Sequence, residues 1–300
     1  MVETTESDVK PLVSRIDRWP GLCSDAVSRR QAFFSDNRQD VRDRVLELVR
    51  DLNIKTLSYD IFDTFLLRND KSEARRYLEL SEHLAEKQKA SRAKGPKPSA
   101  ESFLVARARA MQLAYRTAPR FGQFGEGNLV DVHNAMADML DLSGRRKALL
   151  EDVEIEYESS NLTLNQGLAD AAKAAREEGV EVIFITDMYM PAYLVEKLLS
   201  AIDGASGHHS HLFSSADLGH SKRSGTIYDV VSQRLERPPE SFLHIGDSVR
   251  SDVRNAREAG WNALHLPILP VETMRRRSDF RTVLKDLEER NINPSGWAQV

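Results

Sequence analysis

The stretch of residues 57–68 constrains the fold of this chain more than any other. From residue 55 to 62 it is apolar and rich in β-branched and aromatic side chains, a composition typical of a central, buried strand. Asp60 lies where that strand should end, and open α/β sheets bind ligands at the carboxyl ends of their strands. An aspartate four residues before Thr64 is also common in turns and caps, so this stretch alone does not establish a site.

Three later segments repeat the pattern of polar residues at the end of an apolar run. They cover residues 184–187, 221–225 and 244–252. Together with the first stretch, these segments resemble the four motifs of the haloacid dehalogenase superfamily. The resemblance extends from about residue 55 to 267, with a long insertion. Its most specific part is the G-D-S-x-x-x-D motif that begins at Gly246 and precedes an alanine-rich helix.

The chain after residue 160 alternates between helical and strand patterns. Helical patterns cover residues 166–178, 191–202, 224–235 and 251–259, and strand patterns cover residues 180–186, 211–215, 241–246 and 262–266. Gly179 and Gly260 end two of these helices, and Pro191 begins another. The alternation predicts an α/β fold with a doubly wound, parallel, Rossmann-like sheet of about five strands.

A helical segment interrupts this core after its first strand. It resembles, in position, the C1-type cap that covers the active site in many haloacid dehalogenase proteins. We therefore predict a core at residues 51–70 and 161–270, with a helical cap at residues 71–160. A helical extension at residues 1–50 precedes the core, and a charged helix and tail at residues 271–300 follow it.

Composition excludes several classes of protein. With 41% hydrophobic residues, the 300-residue chain can bury one sizeable core and a smaller lobe. A formal charge of −4 gives no field that would attract nucleic acid or an anionic membrane. The single cysteine, Cys23, excludes an intramolecular disulfide. The polar, acidic start and the lack of an 18-residue apolar run predict a cytoplasmic protein without a membrane segment. Oligomeric state is left open.

The resemblance implies an aspartyl-phosphate mechanism. Asp60 matches the nucleophile that attacks phosphorus in this superfamily. Thr186 matches the hydroxyl that binds the phosphoryl group, and Lys222 matches the ammonium that neutralises it. Transfer of a phosphoryl group to a carboxylate also needs a cation and an acid for the leaving oxygen.

Electrostatics indicate a divalent cation. A phosphomonoester dianion beside Asp60, Asp247 and Asp252 would bring five negative charges together, against one positive charge on Lys222. Each like-charge pair at 4 Å costs about 4 kcal/mol at an effective dielectric constant near 20. Mg²⁺ suits such oxygen ligands. The expected ligands are Asp60, Asp247 and the backbone carbonyl of Phe62, with Asp252 close by. Asp252 could also cap a helix.

The chain departs from the family pattern at Phe62. Most phosphatases of the superfamily carry a second aspartate there, which acts as general acid and base. Asp63 could replace it if the chain leaves the strand in a helical turn, because residue i+3 then returns to the side of residue i. Alternatively, Asp63 only hydrogen-bonds the turn and the neighbouring backbone.

The sequence therefore predicts a Mg²⁺-dependent hydrolase that acts on a small phosphomonoester, such as a nucleotide or a sugar phosphate. One alternative is a weak or inactive protein that binds a phosphorylated ligand or partner, because Phe62 replaces the acid. A carbon-halogen hydrolase is a second alternative, since such enzymes also lack the second aspartate. Asp247 and Asp252 argue against it, because halide departure has no evident use for a metal. Specificity should depend on the insertion, so the sequence does not identify the substrate.

Overall fold

The computed structural model describes residues 29–121 and 124–293. Most of the predicted N-terminal extension and the last seven residues of the predicted tail therefore lie outside the described residues. The strands are β1 (Thr56–Asp60), β2 (Leu66–Arg68), β3 (Arg120–Phe121), β4 (Phe124–Gly125), β5 (Leu162–Leu164), β6 (Glu181–Thr186), β7 (His211–Ser214), β8 (Phe242–Gly246) and β9 (Asn262–His265). The main sheet has the order β7-β6-β1-β8-β9, and its strands are parallel. This confirms the predicted fold class.

Helices cover the sheet and build the lobe beside it. They are α1 (Arg30–Asp36), α2 (Arg38–Asp51), α3 (Glu73–Ala90), α4 (Ala100–Thr117), α5 (Leu129–Met139), α6 (Gly144–Ser160), α7 (Gln166–Glu177), α8 (Ala192–Ala201), α9 (Ser215–Leu218), α10 (Thr226–Arg234), α11 (Asn255–Glu258) and α12 (Pro270–Glu289). A 3₁₀ turn forms at Pro239–Ser241 and a π-helical turn at Val249–Arg254. Within the described ranges, none of these helices has the length and apolarity needed to cross a membrane.

Strand β6 shows that both faces of the sheet are buried. Ile183 and Ile185 belong to a hydrophobic cluster with Trp261, whose ring stacks on that of Phe242 at a centroid distance of 4.0 Å. Phe184 belongs to the other, larger cluster. Successive side chains of a strand alternate between faces, so a strand covered on both sides is apolar throughout. The continuous apolar runs noted in the sequence have this origin.

Helices α2 and α7 pack closely on one another. Val41 and Val45 are fully buried on α2, one turn apart. Gly167 at the start of α7 permits the approach, because a Cβ atom there would lie 2.7 Å from the Val41 side chain. The contact holds α2, the helix that directly precedes β1 in the chain, against α7.

The segment predicted as an insertion contains α3 to α6, and we refer to residues 73–160 as the helical insertion. Ser72 and Ser99 cap α3 and α4, because their hydroxyls accept hydrogen bonds from Arg75 N and Ser102 N. Antiparallel pairing of β2 with β5 joins the two ends of the insertion. That pairing was not predicted; α6 ends at Ser160, two residues before β5 begins.

The last described helix, α12, packs on the insertion rather than standing alone. Val283 and Leu287 are buried in a small hydrophobic cluster with Tyr77 and Leu78 of α3. The chain that follows the sheet thus returns to the helical insertion.

Candidate active site

Three carboxylates converge at the carboxyl edge of the sheet. Asp60 ends β1, Asp247 follows β8, and Asp252 lies in the π-helical turn after it. Their oxygen atoms lie within 4.8 Å of one another, the arrangement needed for a shared metal ion. The convergence follows from topology, because β1 and β8 are parallel neighbours and end at the same edge. Hard carboxylate oxygens are the ligands that Mg²⁺ prefers.

Lys222 supplies one positive charge to this group. Its Nζ donates hydrogen bonds to Asp60 Oδ1 and, at 2.6 Å, to Asp252 Oδ1. Burial opposes the charge, but Asp252 and Asp60 outweigh it and raise the pKa of Lys222 well above its usual value. Lys222 is therefore an ammonium that touches two of the three carboxylates.

The loop that carries Lys222 is held by Asp187, a residue that the sequence reasoning did not assign. Asp187 accepts hydrogen bonds from Lys222 N at 2.7 Å and Arg223 N at 2.9 Å. Asn255 Nδ2 donates to Lys222 O at 2.7 Å. The signal in the sequence that could have identified Asp187 was its position directly after Thr186.

One ammonium does not balance three carboxylates. Burial raises the pKa of Asp60 to about 7, although Lys222 and the Thr64 hydroxyl, 3.0 Å from Asp60 Oδ2, lower it. Burial and the charges of Asp60 and Asp252 raise the pKa of Asp247 well above its usual value. The group thus lacks positive charge, and a divalent cation would supply it. The donor set therefore fits Mg²⁺.

Asp252 is the most tightly held of the three. Burial opposes its charge, but Lys222 and His244 outweigh burial and keep the pKa of Asp252 below its usual value. His244 Nε2 lies 3.2 Å from Asp252 Oδ1, and Ser248 N donates to Oδ2 at 2.8 Å. Gly246 is required beside it, because a Cβ atom there would lie 2.3 Å from Asp252 Cγ.

His244 was missed by sequence reasoning. Its Nδ1 lies 2.8 Å from the Ser58 hydroxyl, so the imidazole bridges β1 and Asp252 inside the sheet. The available signal was a histidine within an apolar strand, two residues before Gly246. A buried imidazole of this kind needs polar partners on both nitrogens.

Thr186 lies at the same edge of the sheet. It ends β6 one residue beyond Ile185, which is paired with Asp60. The Thr186 hydroxyl is buried and accepts a hydrogen bond from Met188 N at 3.1 Å. Its position suits the predicted contact with a phosphoryl group, which remains a prediction. The Phe62 carbonyl as a metal ligand also remains a prediction.

Asp63 does not join the carboxylate group. Its φ angle is +61°, so the chain reverses at Asp63 instead of continuing the helical turn that would return its side chain toward Asp60. The carboxylate accepts hydrogen bonds from Arg276 at 2.7 and 2.9 Å and from Arg30 at 3.0 Å, and Arg68 lies 3.7 Å away. These contacts favour the alternative in which Asp63 organises the turn.

The charge state of Asp63 agrees with that role. Burial opposes its charge, but Arg276 and the neighbouring arginines outweigh burial and hold the pKa of Asp63 well below its usual value. A carboxylate held in this way is a poor proton donor at neutral pH. Arg30 and Arg276 lie outside all four motifs, and no local pattern singled them out.

The helical insertion contributes to a cavity of about 400 Å³ beside the carboxylates. Tyr115 and Glu126 of the insertion line it with Asp187, Arg223 and Ser248. The last three directly follow Thr186, Lys222 and Asp247 in the chain. The cavity therefore lies next to the segments that carry Thr186, Lys222 and Asp247. Burial raises the pKa of Glu126, and the Ser221 hydroxyl offsets part of the effect.

Two hydrogen bonds to Tyr189 fix the insertion to the loop after β6, and one of them comes from a buried ion pair within the insertion. Arg107 donates two hydrogen bonds of 2.6 Å to Glu154, and His133 Nε2 lies 2.7 Å from the same carboxylate. Arg107 also donates to the Tyr189 hydroxyl at 3.0 Å, and Leu129 N donates to Tyr189 O at 2.7 Å. The insertion is thus bound to Tyr189, which lies three residues after Thr186 in the chain.

Comparison with known proteins gives one family. The family model described as haloacid dehalogenase-like hydrolase matches residues 35–260. No curated protein matches the sequence.

Solved structures are similar at low identity. An enzyme of the haloacid dehalogenase family from Bacteroides thetaiotaomicron, in complex with magnesium and inorganic phosphate, is 12% identical over 71% of this chain and 93% of its own, with a TM-score of 0.44. A phosphatase of the family from Thermococcus onnurineus is 17% identical over 71% and 86%, with a TM-score of 0.43. A family hydrolase from Xanthomonas campestris is 16% identical over 77% and 96%, with a TM-score of 0.40. At these scores the similarities carry no argument about activity.

Proposed function

Because the chain belongs to the haloacid dehalogenase-like hydrolase family, we propose that it is a Mg²⁺-dependent phosphatase that acts on a small phosphomonoester. A nucleotide or a sugar phosphate is the substrate class that we propose. The observation that carries the proposal is the group of Asp60, Asp247 and Asp252 with Lys222 in contact with two of them.

In the proposed reaction, one oxygen of Asp60 attacks phosphorus. A bond forms between that oxygen and phosphorus while the bond to the leaving oxygen breaks, which gives an aspartyl phosphate and a free alcohol. Water then attacks phosphorus, phosphate leaves, and the Asp60 carboxylate is restored. Lys222 and the Thr186 hydroxyl bind the phosphoryl oxygens through both steps, where charge accumulates.

Asp60, Asp247, Asp252 and the Phe62 carbonyl would hold the magnesium ion. When bound, Mg²⁺ would neutralise charge on the carboxylates and on the phosphoryl group. The raised pKa values of Asp60 and Asp247 support this, because they express a lack of positive charge in the group. His244 and Ser248 hold Asp252 in place for either role, ligand or cap.

We propose Glu126, rather than Asp63, as the proton donor to the leaving oxygen. Asp63 is bound by Arg30 and Arg276. Glu126 lines the cavity through which a leaving group would extend, and burial raises its pKa toward the range in which a carboxyl donates protons. Since Phe62 occupies the usual position of the acid, the insertion would then supply the acid instead.

A screen of phosphomonoesters with and without Mg²⁺ tests the proposed function. Phosphate release that needs Mg²⁺ and disappears in Asp60→Asn would support it. Binding of phosphorylated ligands without turnover would favour the alternative that Phe62 suggests, an inactive binding protein. Halide release from a haloacid would favour a dehalogenase, which Asp247 and Asp252 argue against.

A further inference from the structure

A second cavity, of about 570 Å³, lies between the loop after β1, helix α3 and helix α12. Its volume lies within the range of small-molecule sites. Helix α12 lies wholly outside residues 35–260, the part that matches the family model. The family resemblance therefore does not define this cavity, and none of the three clustered carboxylates lines it.

The walls of this cavity are strongly cationic. Among the described residues, five cationic side chains line it: Arg68, Lys71, Arg76, Arg276 and Arg277. Two carboxylates, Asp63 and Glu73, also line it. Apolar surface comes from Ile268, Tyr77 and Phe280. A small molecule with an anionic group and an apolar part would meet complementary surface here.

Two of the cations form close ion pairs within the protein, and two more, Arg68 and Arg76, have carboxylate partners at longer distances of 3.7 and 3.5 Å. Lys71 Nζ contacts Glu79 Oε2 at 2.6 Å, and Arg276 forms its two hydrogen bonds with Asp63. Arg277 is exposed and forms no ion pair within the described ranges. The cation without a carboxylate partner in the described part of the chain is therefore Arg277, and Arg68 and Arg76 are the two whose partners lie farthest away.

Arg76 is buried with incomplete hydrogen bonding. Its side chain is 11% exposed, and its nearest carboxylate oxygen, Glu158 Oε1, lies 3.5 Å from Nη1. Its Nε and the second oxygen of Glu158 are both buried without a hydrogen-bond partner among the described residues. Buried polar groups nearly always have a hydrogen-bond partner. Two such unpartnered atoms on neighbouring side chains are therefore consistent with a place where a ligand would supply the missing hydrogen bonds.

Arg68 links the cavity to the candidate active site. Its guanidinium lies 4.5 Å from the centre of the Phe62 ring, and its Nη2 lies 3.6 Å from Met188 Sδ. Its Nη1 is 3.7 Å from Asp63, and its Nε is buried without a partner. Arg68 therefore contacts Phe62, two residues after Asp60, and Met188, two residues after Thr186.

We propose that this cavity binds the phosphate or carboxylate group of a small organic anion. Guanidinium groups bind such oxygens in paired, charge-assisted hydrogen bonds. The anion sits against Arg76 and Arg277, between the helical insertion and α12. It is either a distal acid group of the substrate or a separate small molecule. The first of these rests on the proposed function, and the second does not.

Calorimetry with inorganic phosphate tests the site directly. We use protein freed of Mg²⁺ with a chelator, because three carboxylates and one lysine then repel anions from the candidate active site. Arg277→Ala removes an exposed cation of the cavity. Arg281→Ala is the matched control, since it is an exposed arginine on the same helix that does not line the cavity.

We expect wild-type protein and Arg281→Ala to bind phosphate alike, and Arg277→Ala to bind about tenfold more weakly. Arg76→Met, which keeps the apolar stem, should weaken binding further if it folds. No binding by wild-type protein, or equal affinity in Arg277→Ala and Arg281→Ala, would overturn the proposal.

Kinetics distinguish the two sources of the anion. If it belongs to the substrate, Arg277→Ala should lower kcat/KM about tenfold for 3-phosphoglycerate but not for p-nitrophenyl phosphate, which has no distal acid. If it is a separate molecule, Arg277→Ala should alter both kcat/KM values by the same factor, while phosphate binding in the calorimeter is still weakened about tenfold. The calorimetry does not depend on turnover, so failure of the proposed phosphatase activity would not be mistaken for failure of this site.

Discussion

Replacing Asp63 by asparagine should destabilise the fold rather than remove the proton donor. Asparagine matches the shape of aspartate and tolerates the positive φ angle of this position, so the change removes little except the charge. Asp63 is 5% exposed and is paired with Arg30, which is 1% exposed, and with Arg276. Neutralising one partner of a buried ion pair costs about 3–5 kcal/mol.

The lower end of that range is expected for Asp63→Asn, because Arg30 keeps its ion pair with Glu272 at 2.7 Å. A loss of about 3 kcal/mol should lower Tm by roughly 6–12 °C in a chain of this size. The assay is thermal unfolding followed by circular dichroism at pH 7. The control is Asp138→Asn, an exposed aspartate without an ion pair within the described ranges, where the change should stay within about 0.5 kcal/mol.

The effect of Asp63→Asn should also depend on pH. The pKa of Asp63 is lowered in the folded state, so its contribution to stability is fully present above its unfolded pKa of about 4 and is lost as pH falls toward the folded value. The Tm difference between wild type and variant should be constant from pH 6 to 8 and should shrink below pH 4.

Enzyme kinetics provide the result that would refute this reasoning. We expect folded Asp63→Asn to keep the wild-type ratio of activities on an alkyl phosphate and on p-nitrophenyl phosphate, whose leaving group needs no proton. A selective loss of 10²–10⁴-fold on the alkyl phosphate, with unchanged stability, is the behaviour of a general acid. That outcome would restore Asp63 as the replacement for the acid missing at Phe62.

Three further predictions concern the carboxylates of the candidate active site. Asp60→Asn should abolish phosphate release and leave the circular dichroism spectrum unchanged, because an amide is a far poorer nucleophile; wild-type turnover in the folded variant would exclude the role. Asp247→Asn should weaken Mg²⁺ binding in a calorimetric titration, since it removes an anionic ligand, and an unchanged affinity would contradict that assignment. Glu126→Gln should lower turnover of an alkyl phosphate by about 10²–10⁴-fold and spare p-nitrophenyl phosphate, and an equal loss on both substrates would exclude Glu126 as the acid.

The sequence by itself determined the fold class and the family. Both depend on patterns that are read over a few residues at a time, such as apolar strands, helical periodicity and the spacing from Gly246 to Asp252. Parallel strands end at one edge of the sheet, so the ends of β1 and β8 had to bring Asp60 and Asp247 together. The five-stranded parallel sheet and the family were therefore predictable, and both are confirmed.

Only the tertiary structure decided the surroundings of Asp63. Its partners Arg30 and Arg276 are 33 and 213 residues away in the chain, and no local pattern relates positions so distant. The pairing of β2 with β5 was missed for the same reason, because two three-residue strands carry too little pattern to be recognised.

The two cavities also depend on tertiary packing. A charged side chain has the same local pattern whether it faces water, an ion pair or a cavity, so Arg76 and Glu126 gave no signal in the sequence. The environment of Arg76 depends on the packing of α12 beside α3, and that of Glu126 depends on its position beside Asp187, Arg223 and Ser248. Periodicity determines which elements form, whereas contacts between distant segments determine the charge and the surroundings of each functional side chain.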